Sequence, residues 1–182
     1  MLVGIISDTH DNLPQIERAV EYLNNRKVGL VLHAGDYVAG FVIPKLAKLE
    51  CKLIGVFGNN DGDHELLKRR FGETSNCTVH ERFTQFEVEA RKIALLHGHE
   101  TELLDAIIAS GYFDVVVHGH SHHLGIKKVG RTLSINPGEV CGYLTSKSTL
   151  ALLDTAKNEA RIIDLSEARD GENPGDTMSF HL

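Results

Sequence analysis

A chain of 182 residues with 42% hydrophobic and 24% charged residues has the size of one globular domain, and this composition excludes intrinsic disorder. The formal net charge of −6 excludes the broad basic face with which proteins track nucleic-acid phosphates. Two small basic clusters, at 68–70 and 127–128, are predicted to be solvated surface.

Strands and helices are predicted to alternate through the first half of the chain. Strands are predicted at 2–6, 27–33 and 52–57, and helices at 13–25, 41–49 and 61–71. The first helix has Pro14 in its first turn, and its apolar residues recur at a spacing of three to four. This alternation is typical of right-handed βαβ units and a parallel sheet.

The second half is predicted to be richer in strands. Strands are predicted at 76–80, 82–89, 92–97, 114–118, 124–129, 131–136, 148–154 and 160–165, with one helix at 101–110. So many strands in so few residues indicate an α/β fold in which two packed sheets are covered by helices. One domain is expected over 1–165, followed by a polar C-terminal tail over 166–182 that we expect to be mobile.

The cysteines and the first residues indicate the compartment. Cys51, Cys77 and Cys141 are an odd number without CxxC spacing, which does not suggest a disulfide framework. No signal peptide is recognisable at the start, and no run approaches the ~18 apolar residues of a membrane span. We therefore expect a cytoplasmic protein that does not associate with membranes.

Five apolar, strand-like runs end at residues that can bind metal ions. These ends are Asp8-Thr9-His10, Asp36, Asn59-Asn60-Asp61, His97-Gly98-His99 and His120-Ser121-His122. Ligand sites in open α/β sheets gather beyond the carboxyl ends of strands, so we expect these groups to surround one crevice. Any one of them alone is read as a turn or helix cap, and only their coincidence at five strand ends favours a site.

The residue types at these ends predict a metal centre. Carboxylate, imidazole and amide oxygen without a thiolate suit divalent manganese, zinc, iron or nickel. Seven candidate ligands are too many for one tetrahedral zinc and suit two ions that share a carboxylate. A hydrolase with a single zinc, acting on a non-phosphate substrate, stays open as an alternative and would bind one metal per chain.

The ordered motifs also resemble a known family. Asp8-x-His10, Gly35-Asp36, Gly58-Asn59, His97 and Gly119-His120-Ser121-His122 resemble the motifs of calcineurin-like metallophosphoesterases. The chain length and the INPG turn at 135–138 resemble the small YfcE-type phosphodiesterases. The resemblance runs from residue 1 to about residue 165 and implies a four-layer α/β/β/α sandwich of two mixed sheets.

The resemblance further implies a ligand set and a cofactor. Asp8, His10 and His122 would bind a first metal, Asn59, His97 and His120 a second, and Asp36 would bridge both. The implied cofactor is two divalent ions per chain, with manganese preferred over nickel, zinc or iron. A metal-bound hydroxide would be the nucleophile, because divalent ions lower the pKa of bound water toward 7.

One position departs from the family pattern. Many relatives have a histidine directly after the asparagine ligand, whereas this chain has Asn60, which cannot act as an acid. His99, two residues beyond His97, is our candidate for a replacement general acid. Asn60 is a candidate donor of a hydrogen bond to a phosphate oxygen.

Other polar residues are predicted to be structural. This reading applies to His33, His64, His80, His118, His123 and His181. The INPG turn is read in the same way, with Asn136 bonding its own backbone.

The function predicted from these observations is a metal-dependent phosphodiesterase acting on a small phosphodiester. Two divalent ions outweigh the charge of Asp8, Asp36 and one hydroxide, so the pocket attracts phosphate despite the acidic chain. Nucleic acid is considered only as a substrate, and a homo-oligomer is left open. The alternative is a non-catalytic interaction scaffold, because the family's fold also occurs in a subunit of the retromer coat.

Overall fold

Two mixed β-sheets, packed face to face, form the centre of the molecule. A computed structural model gives the fold and describes residues 1–157, 159–167 and 178–181. Within these residues, no helix is both long enough and apolar enough to cross a bilayer.

Strands and helices alternate through the first half of the chain, as predicted. The elements are β1 (Leu2–Ile6), α1 (Leu13–Asn25), β2 (Leu30–His33), a 3-10 turn (Gly40–Val42), α2 (Ile43–Leu46), β3 (Lys52–Val56), α3 (His64–Gly72) and β4 (Cys77–His80). The helix predicted at 41–49 is therefore split into a 3-10 turn and a four-residue α-helix with Pro44 in its first turn. The helix predicted from residue 61 begins only at His64, because Asp63 is its cap and accepts a bond from the N–H of Leu66.

The second half supplies one further helix and the remaining strands. These are β5 (Phe83–Val88), β6 (Arg91–Leu96), α4 (Thr101–Ala109), β7 (Val115–Val117), β8 (Gly125–Val129), β9 (Thr132–Asn136), β10 (Thr149–Asp154), β11 (Glu159–Asp164) and β12 (Met178–His181).

The prediction of a C-terminal tail is wrong for four of its residues, which form the strand β12. Met178–His181 pairs antiparallel with β11, whose outer backbone groups would otherwise form an open sheet edge. Residues 168–177 and 182 of the predicted tail, and the side chain of His181, lie outside the described part of the structure.

The strand order makes both sheets mixed. Among the described residues the larger sheet has the order β12-β11-β10-β1-β2-β3-β4, and the smaller has the order β5-β6-β7-β9-β8. Strands β1 to β4 are parallel to one another, whereas β10 to β12 are antiparallel to their neighbours. In the smaller sheet β6, β7 and β9 are parallel, with β5 and β8 antiparallel at its edges.

Three apolar clusters separate four layers. Between the sheets, Ile5 and Leu32 of the larger sheet share a buried cluster with Val117 of the smaller one. On the outer face of the larger sheet, a second cluster includes buried residues of α1, α2 and α3. On the outer face of the smaller sheet, α4 packs against Ala94 and Val116. The predicted four-layer α/β/β/α sandwich is confirmed.

Candidate metal centre

Loops that follow four strands are bonded to one another at a single edge of the two sheets. The N–H of Asp8, after β1, donates to the carbonyl oxygen of Gly35, after β2, at 3.0 Å. The N–H of Gly119, after β7, donates to the carbonyl oxygen of His97, after β6, at 2.8 Å. The two pairs are connected because the N–H of His120 donates to Asp8 Oδ2 at 3.1 Å.

Asp36 lies between two groups of side chains at this edge. Its Oδ2 is 3.4 Å from His97 Nε2 on one side and 3.9 Å from His10 Nε2 on the other. Beside His97 lie Asn59, whose Oδ1 is 3.0 Å from His97 Nε2, and His120, whose ring centroid is 5.2 Å from that of His97. The loop after β3 therefore reaches the same hollow.

The second group surrounds His10. The ring centroids of His10 and His122 are 5.4 Å apart, and His122 Nε2 is 3.4 Å from Asp8 Oδ1. All the predicted ligands are thus brought together, in two groups on either side of one carboxylate. They are Asp8, His10, Asp36, Asn59, His97, His120 and His122.

The donor atoms of this hollow fit divalent cations. Asp8 and Asp36 are both fully buried, and with His97 they offer ligand atoms within 4.8 Å of one another. Asp8 Oδ1 and His10 Nε2 are buried without a hydrogen-bond partner among the described residues. Burying charged or polar atoms without compensation is costly, and a cation bound between them would offset that cost.

The pKa values of the two carboxylates are shifted in opposite directions. Burial raises the pKa of Asp8, against the favourable charge of His97. Burial also opposes ionisation of Asp36, but hydrogen bonds from His97 and Asn60 hold the pKa of Asp36 below its ordinary value. Asp36 is therefore ionised at neutral pH and available to a cation.

Glu139 orients His122, and sequence reasoning missed this residue. Glu139 is fully buried, and its Oε2 accepts a hydrogen bond from His122 Nδ1 at 2.7 Å. It also accepts from the thiol of Cys141 at 3.0 Å and from the N–H of Thr145 at 2.5 Å. Although burial opposes ionisation, these donors lower the pKa of Glu139 to about 2. A histidine bonded through Nδ1 to a carboxylate presents Nε2 for metal binding.

Cys141 lies beside two of the predicted ligands. Its Sγ is within 4.8 Å of ligand atoms of His10 and His122. Burial, together with the hydrogen bond to Glu139, raises the pKa of Cys141. Its thiol is therefore a protonated donor to Glu139.

Asp61 ties two of the loops together. Its carboxylate accepts hydrogen bonds from the N–H groups of Tyr37, Val38 and Gly58 at 2.6, 2.7 and 2.7 Å, and from that of Asp36 at 3.1 Å. The loop after β2 is thus held against the loop after β3, and Asp36 is oriented by its own backbone. The run Asn59-Asn60-Asp61 is part of the site rather than a helix cap.

Five of the seven predicted ligands have a left-handed backbone. The φ angles are +50° at Asp8, +41° at His10, +63° at Asp36, +66° at His120 and +59° at His122. Residues with a side chain adopt this region rarely and at a cost, and such residues cluster at functional sites.

Gly58 allows the closest approach in the hollow. A Cβ atom built on it would lie 2.1 Å from Asp36 Oδ1 and 2.7 Å from the backbone nitrogen of Asp36. Only glycine leaves space for this carboxylate.

The predicted catalytic residues Asn60 and His99 border the same hollow. Asn60 is exposed, and its backbone N–H and Nδ2 donate to the two oxygens of Asp36 at 2.9 and 2.7 Å. The ring of His99 lies 5.5 Å from that of His97 and 6.0 Å from that of His120. Its Nδ1 is buried without a hydrogen-bond partner among the described residues.

Several histidines outside the hollow have structural contacts. The N–H of Gly35 donates to His33 Nδ1 at 3.1 Å, so the ring proton of neutral His33 faces Thr9 Oγ1 at 3.0 Å. His118 is hydrogen-bonded to Ser134, and the ring of His64 stacks on Phe57. His80 and His123 are exposed.

The INPG turn supports the loop that carries two of the predicted ligands. Asn136 Oδ1 accepts a hydrogen bond from the N–H of Gly138 at 3.0 Å, as predicted. Its Nδ2 also donates to the carbonyl oxygen of Gly119 at 2.9 Å and to Ser121 Oγ at 3.0 Å. The turn therefore holds the loop that carries His120 and His122.

Comparison with known proteins gives one family match. The model of the calcineurin-like phosphoesterase superfamily domain matches residues 1–158. Phosphodiesterase MJ0936 of Methanocaldococcus jannaschii is 42% identical over 165 residues, which cover 91% of this chain and 99% of the relative.

Two solved structures have the same fold. The structure of an archaeal phosphodiesterase superposes with a TM-score of 0.82 and 42% identity, covering 90% of this chain and 99% of the other. The structure of YfcE, a phosphoesterase from Escherichia coli, gives a TM-score of 0.74 with 99% and 98% coverage. At 20% identity the second likeness concerns the fold alone.

Proposed function

The chain belongs to the calcineurin-like phosphoesterase superfamily, in its YfcE-type group, and we propose that this phosphodiester hydrolase works through two divalent ions bound in the hollow described above. Asp8, His10 and His122 would hold one ion, and Asn59, His97 and His120 would hold the other. Asp36, which lies between the two groups, would contribute to both. The observation that carries this proposal is the position of the Asp36 carboxylate, 3.4 Å from one group and 3.9 Å from the other.

The chemistry of the hollow suits phosphate ester cleavage. Bound there, divalent ions would supply a hydroxide nucleophile at neutral pH and neutralise the charge on the phosphate. The residues of the chain orient these groups: Glu139 fixes the ring of His122, and Ala34 accepts a bond of 2.7 Å from His97 Nδ1, which turns Nε2 toward Asp36.

His99 is the proposed general acid. Its ring faces the group around His97, and its unpartnered Nδ1 has no competing hydrogen bond among the described residues. Protonated His99 gives its proton to the leaving oxygen, a contribution of roughly 10²–10⁴-fold for a poor leaving group.

Asn60 is proposed to hold Asp36 in its bridging orientation. The backbone N–H of Asn60 and one hydrogen of its Nδ2 donate to the two oxygens of Asp36. Nδ2 carries a second hydrogen, and we assign its donation to a phosphate oxygen to the substrate complex.

The remaining parts of the proposal concern the ion, the substrate and the surroundings. We propose manganese as the ion, with nickel, zinc and iron as alternatives, and a small phosphodiester as substrate. The domain comprises 1–165 together with the strand β12, and it works in the cytoplasm, where the free thiols of Cys51, Cys77 and Cys141 stay reduced. Nucleic acid enters only as a substrate, and a homo-oligomer is compatible with this scheme.

The test is metal stoichiometry combined with a hydrolysis screen. Manganese-loaded protein should contain two ions per chain and cleave phosphodiesters. Asp36→Asn should lose activity and bind both ions more weakly, because one bridging charge is lost. One ion per chain would favour the single-zinc alternative. Absence of hydrolysis with every metal, together with a stable protein partner, would favour the scaffold.

A further inference from the structure

An exposed aromatic side chain stands on the rim of the metal hollow. Tyr143 is 58% exposed and Leu144 is 73% exposed. The ring centroid of Tyr143 is 6.2 Å from that of His10. The Tyr143 hydroxyl donates to Asp11 Oδ1 at 3.2 Å, which fixes the outer end of the ring.

The loop that carries Tyr143 is fastened on both sides. Before it, the N–H of Cys141 donates to the carbonyl oxygen of Asp8 at 3.1 Å. After it, the N–H groups of Leu144 and Thr145 donate to the buried carboxylate of Glu139 at 3.0 and 2.5 Å. The aromatic ring is therefore presented by an ordered loop, so a ligand does not have to order that loop on binding.

The charge on this rim disfavours a substrate that carries a further anionic group beyond its phosphoester. The carboxylate of Asp11 is exposed beside Tyr143 and accepts its hydroxyl hydrogen bond. A second phosphate or a carboxylate at this place would be repelled, whereas a neutral aromatic group would not. Aromatic rings bind nucleobases and aryl groups by stacking, with little preference among them.

From these observations we infer that Tyr143, with Leu144 beside it, forms a platform for the aromatic ester group of the substrate. This inference rests on the proposed function, because the phosphate of the same substrate lies in the metal hollow. The substrate class is a phosphoester with one uncharged aromatic substituent, an aryl ring or a nucleobase.

Calorimetric binding of two product analogues to the manganese-loaded protein tests the platform. Phenyl phosphate and methyl phosphate share the phosphate group and differ in the aromatic ring. Wild-type protein should bind phenyl phosphate about tenfold tighter, and Tyr143→Ala should bring the ratio close to one. Tyr143→Phe keeps the ring and should keep the ratio.

The matched control is Tyr112→Ala. Tyr112 is 56% exposed, and its ring lies over Lys92, at the opposite end of β6 from His97. This variant should keep the wild-type ratio. A wild-type ratio near one, or a ratio unchanged in Tyr143→Ala, would overturn the platform.

Turnover of methyl p-nitrophenyl phosphate distinguishes a failure of the platform proposal from a failure of the proposed function. Turnover with an unchanged binding ratio in Tyr143→Ala rejects the platform alone. If wild-type protein neither binds these esters nor turns over the diester, both the platform and the proposed function are rejected.

Discussion

At the scale of single residues, the candidate site depends on side chains that hold the predicted ligands as well as on the predicted ligands themselves. Glu139 is fully buried and bonded to His122, yet an isolated glutamate after a turn carries no motif that could have identified it. Asp8 and His122, by contrast, belong to motifs of recognisable spacing. Residues that act through another residue are therefore difficult to predict from a single sequence.

Glu139→Gln should weaken metal binding. The amide cannot match the charge of the carboxylate that holds His122 Nδ1, and loss of such a partner typically costs 10–100-fold in metal affinity. Manganese affinity measured by calorimetry checks this expectation. Glu17→Gln, at an exposed ion pair of α1, is the control and should leave the affinity unchanged. Equal affinities in all three proteins would contradict a role in metal binding.

His99→Ala should slow the hydrolysis of substrates with poor leaving groups more than that of substrates with good ones. If His99 protonates the leaving oxygen, alkyl diesters should slow by roughly 10²–10⁴-fold while activated aryl esters change little. Values of kcat for the two substrate classes measure the effect. His123→Ala, at an exposed histidine, should alter neither class. An equal loss on both classes would rule out the acid role.

His33 should make stability depend on pH. Burial lowers the pKa of His33 to about 3, against 6.5 for the free side chain, so the folded protein keeps it neutral. The contribution of neutral His33 to the free energy of unfolding is complete above pH 6.5. It is lost as the pH falls toward 3, because in this range only the unfolded chain takes up the proton.

Urea unfolding of chelator-treated protein at pH 7.5 and pH 4.5 measures this effect. His33→Asn should show a smaller loss between the two pH values than wild type, whatever its absolute stability. His80→Asn, at an exposed histidine, should show the wild-type loss. Identical losses in wild type and His33→Asn would refute the assignment.

At the scale of elements, the regular parts of the fold were predictable and the loops were not. The helix α1 has the predicted bounds, because its apolar residues and Pro14 act within one continuous segment. The helix predicted over 61–71 begins only at His64, because Asp63 is its cap and Asp61 joins two loops, a contact that no local pattern reveals. The seven side chains converge as predicted, and their role as ligands stays a prediction.

Gly58→Ala should disrupt the joined loops after β2 and β3. The added methyl group would lie 2.1 Å from Asp36 Oδ1 and must displace that carboxylate. We expect loss of most metal binding and a stability cost of about 1–3 kcal/mol. Gly72→Ala is the control, because a Cβ atom there has no neighbour within 4 Å among the described residues. Metal stoichiometry and thermal unfolding, measured for both variants, test the expected losses of bound metal and of stability.

At the scale of the whole molecule, the proposed centre spans both sheets. Asp8, Asp36 and Asn59 follow strands of the larger sheet, whereas His97, His120 and His122 follow strands of the smaller one. Two packed sheets were predicted from the number of strands, and the family resemblance added that both are mixed, whereas strand count alone does not define a strand order.

Metal binding should therefore stabilise the whole fold. A ligand that binds only the folded state adds about 2.7 kcal/mol at a concentration of 100 Kd, and the Tm should rise accordingly. Thermal unfolding with chelator and with increasing manganese measures the shift. Asp36→Asn should show a smaller shift at the same concentration. A Tm independent of manganese would contradict binding at a site shared by the sheets.

The left-handed backbone at five of the seven side chains has a consequence for protein engineering. Each of these residues directs its Cβ differently from an extended or helical residue. The direction of each metal-donor atom therefore depends on the conformation of the turn as well as on the amino acid. Copying the seven identities onto the strand ends of another scaffold would transfer the donors without their directions. The transferable units are whole turns, together with Gly58 and with the carboxylates of Asp61 and Glu139 that brace them.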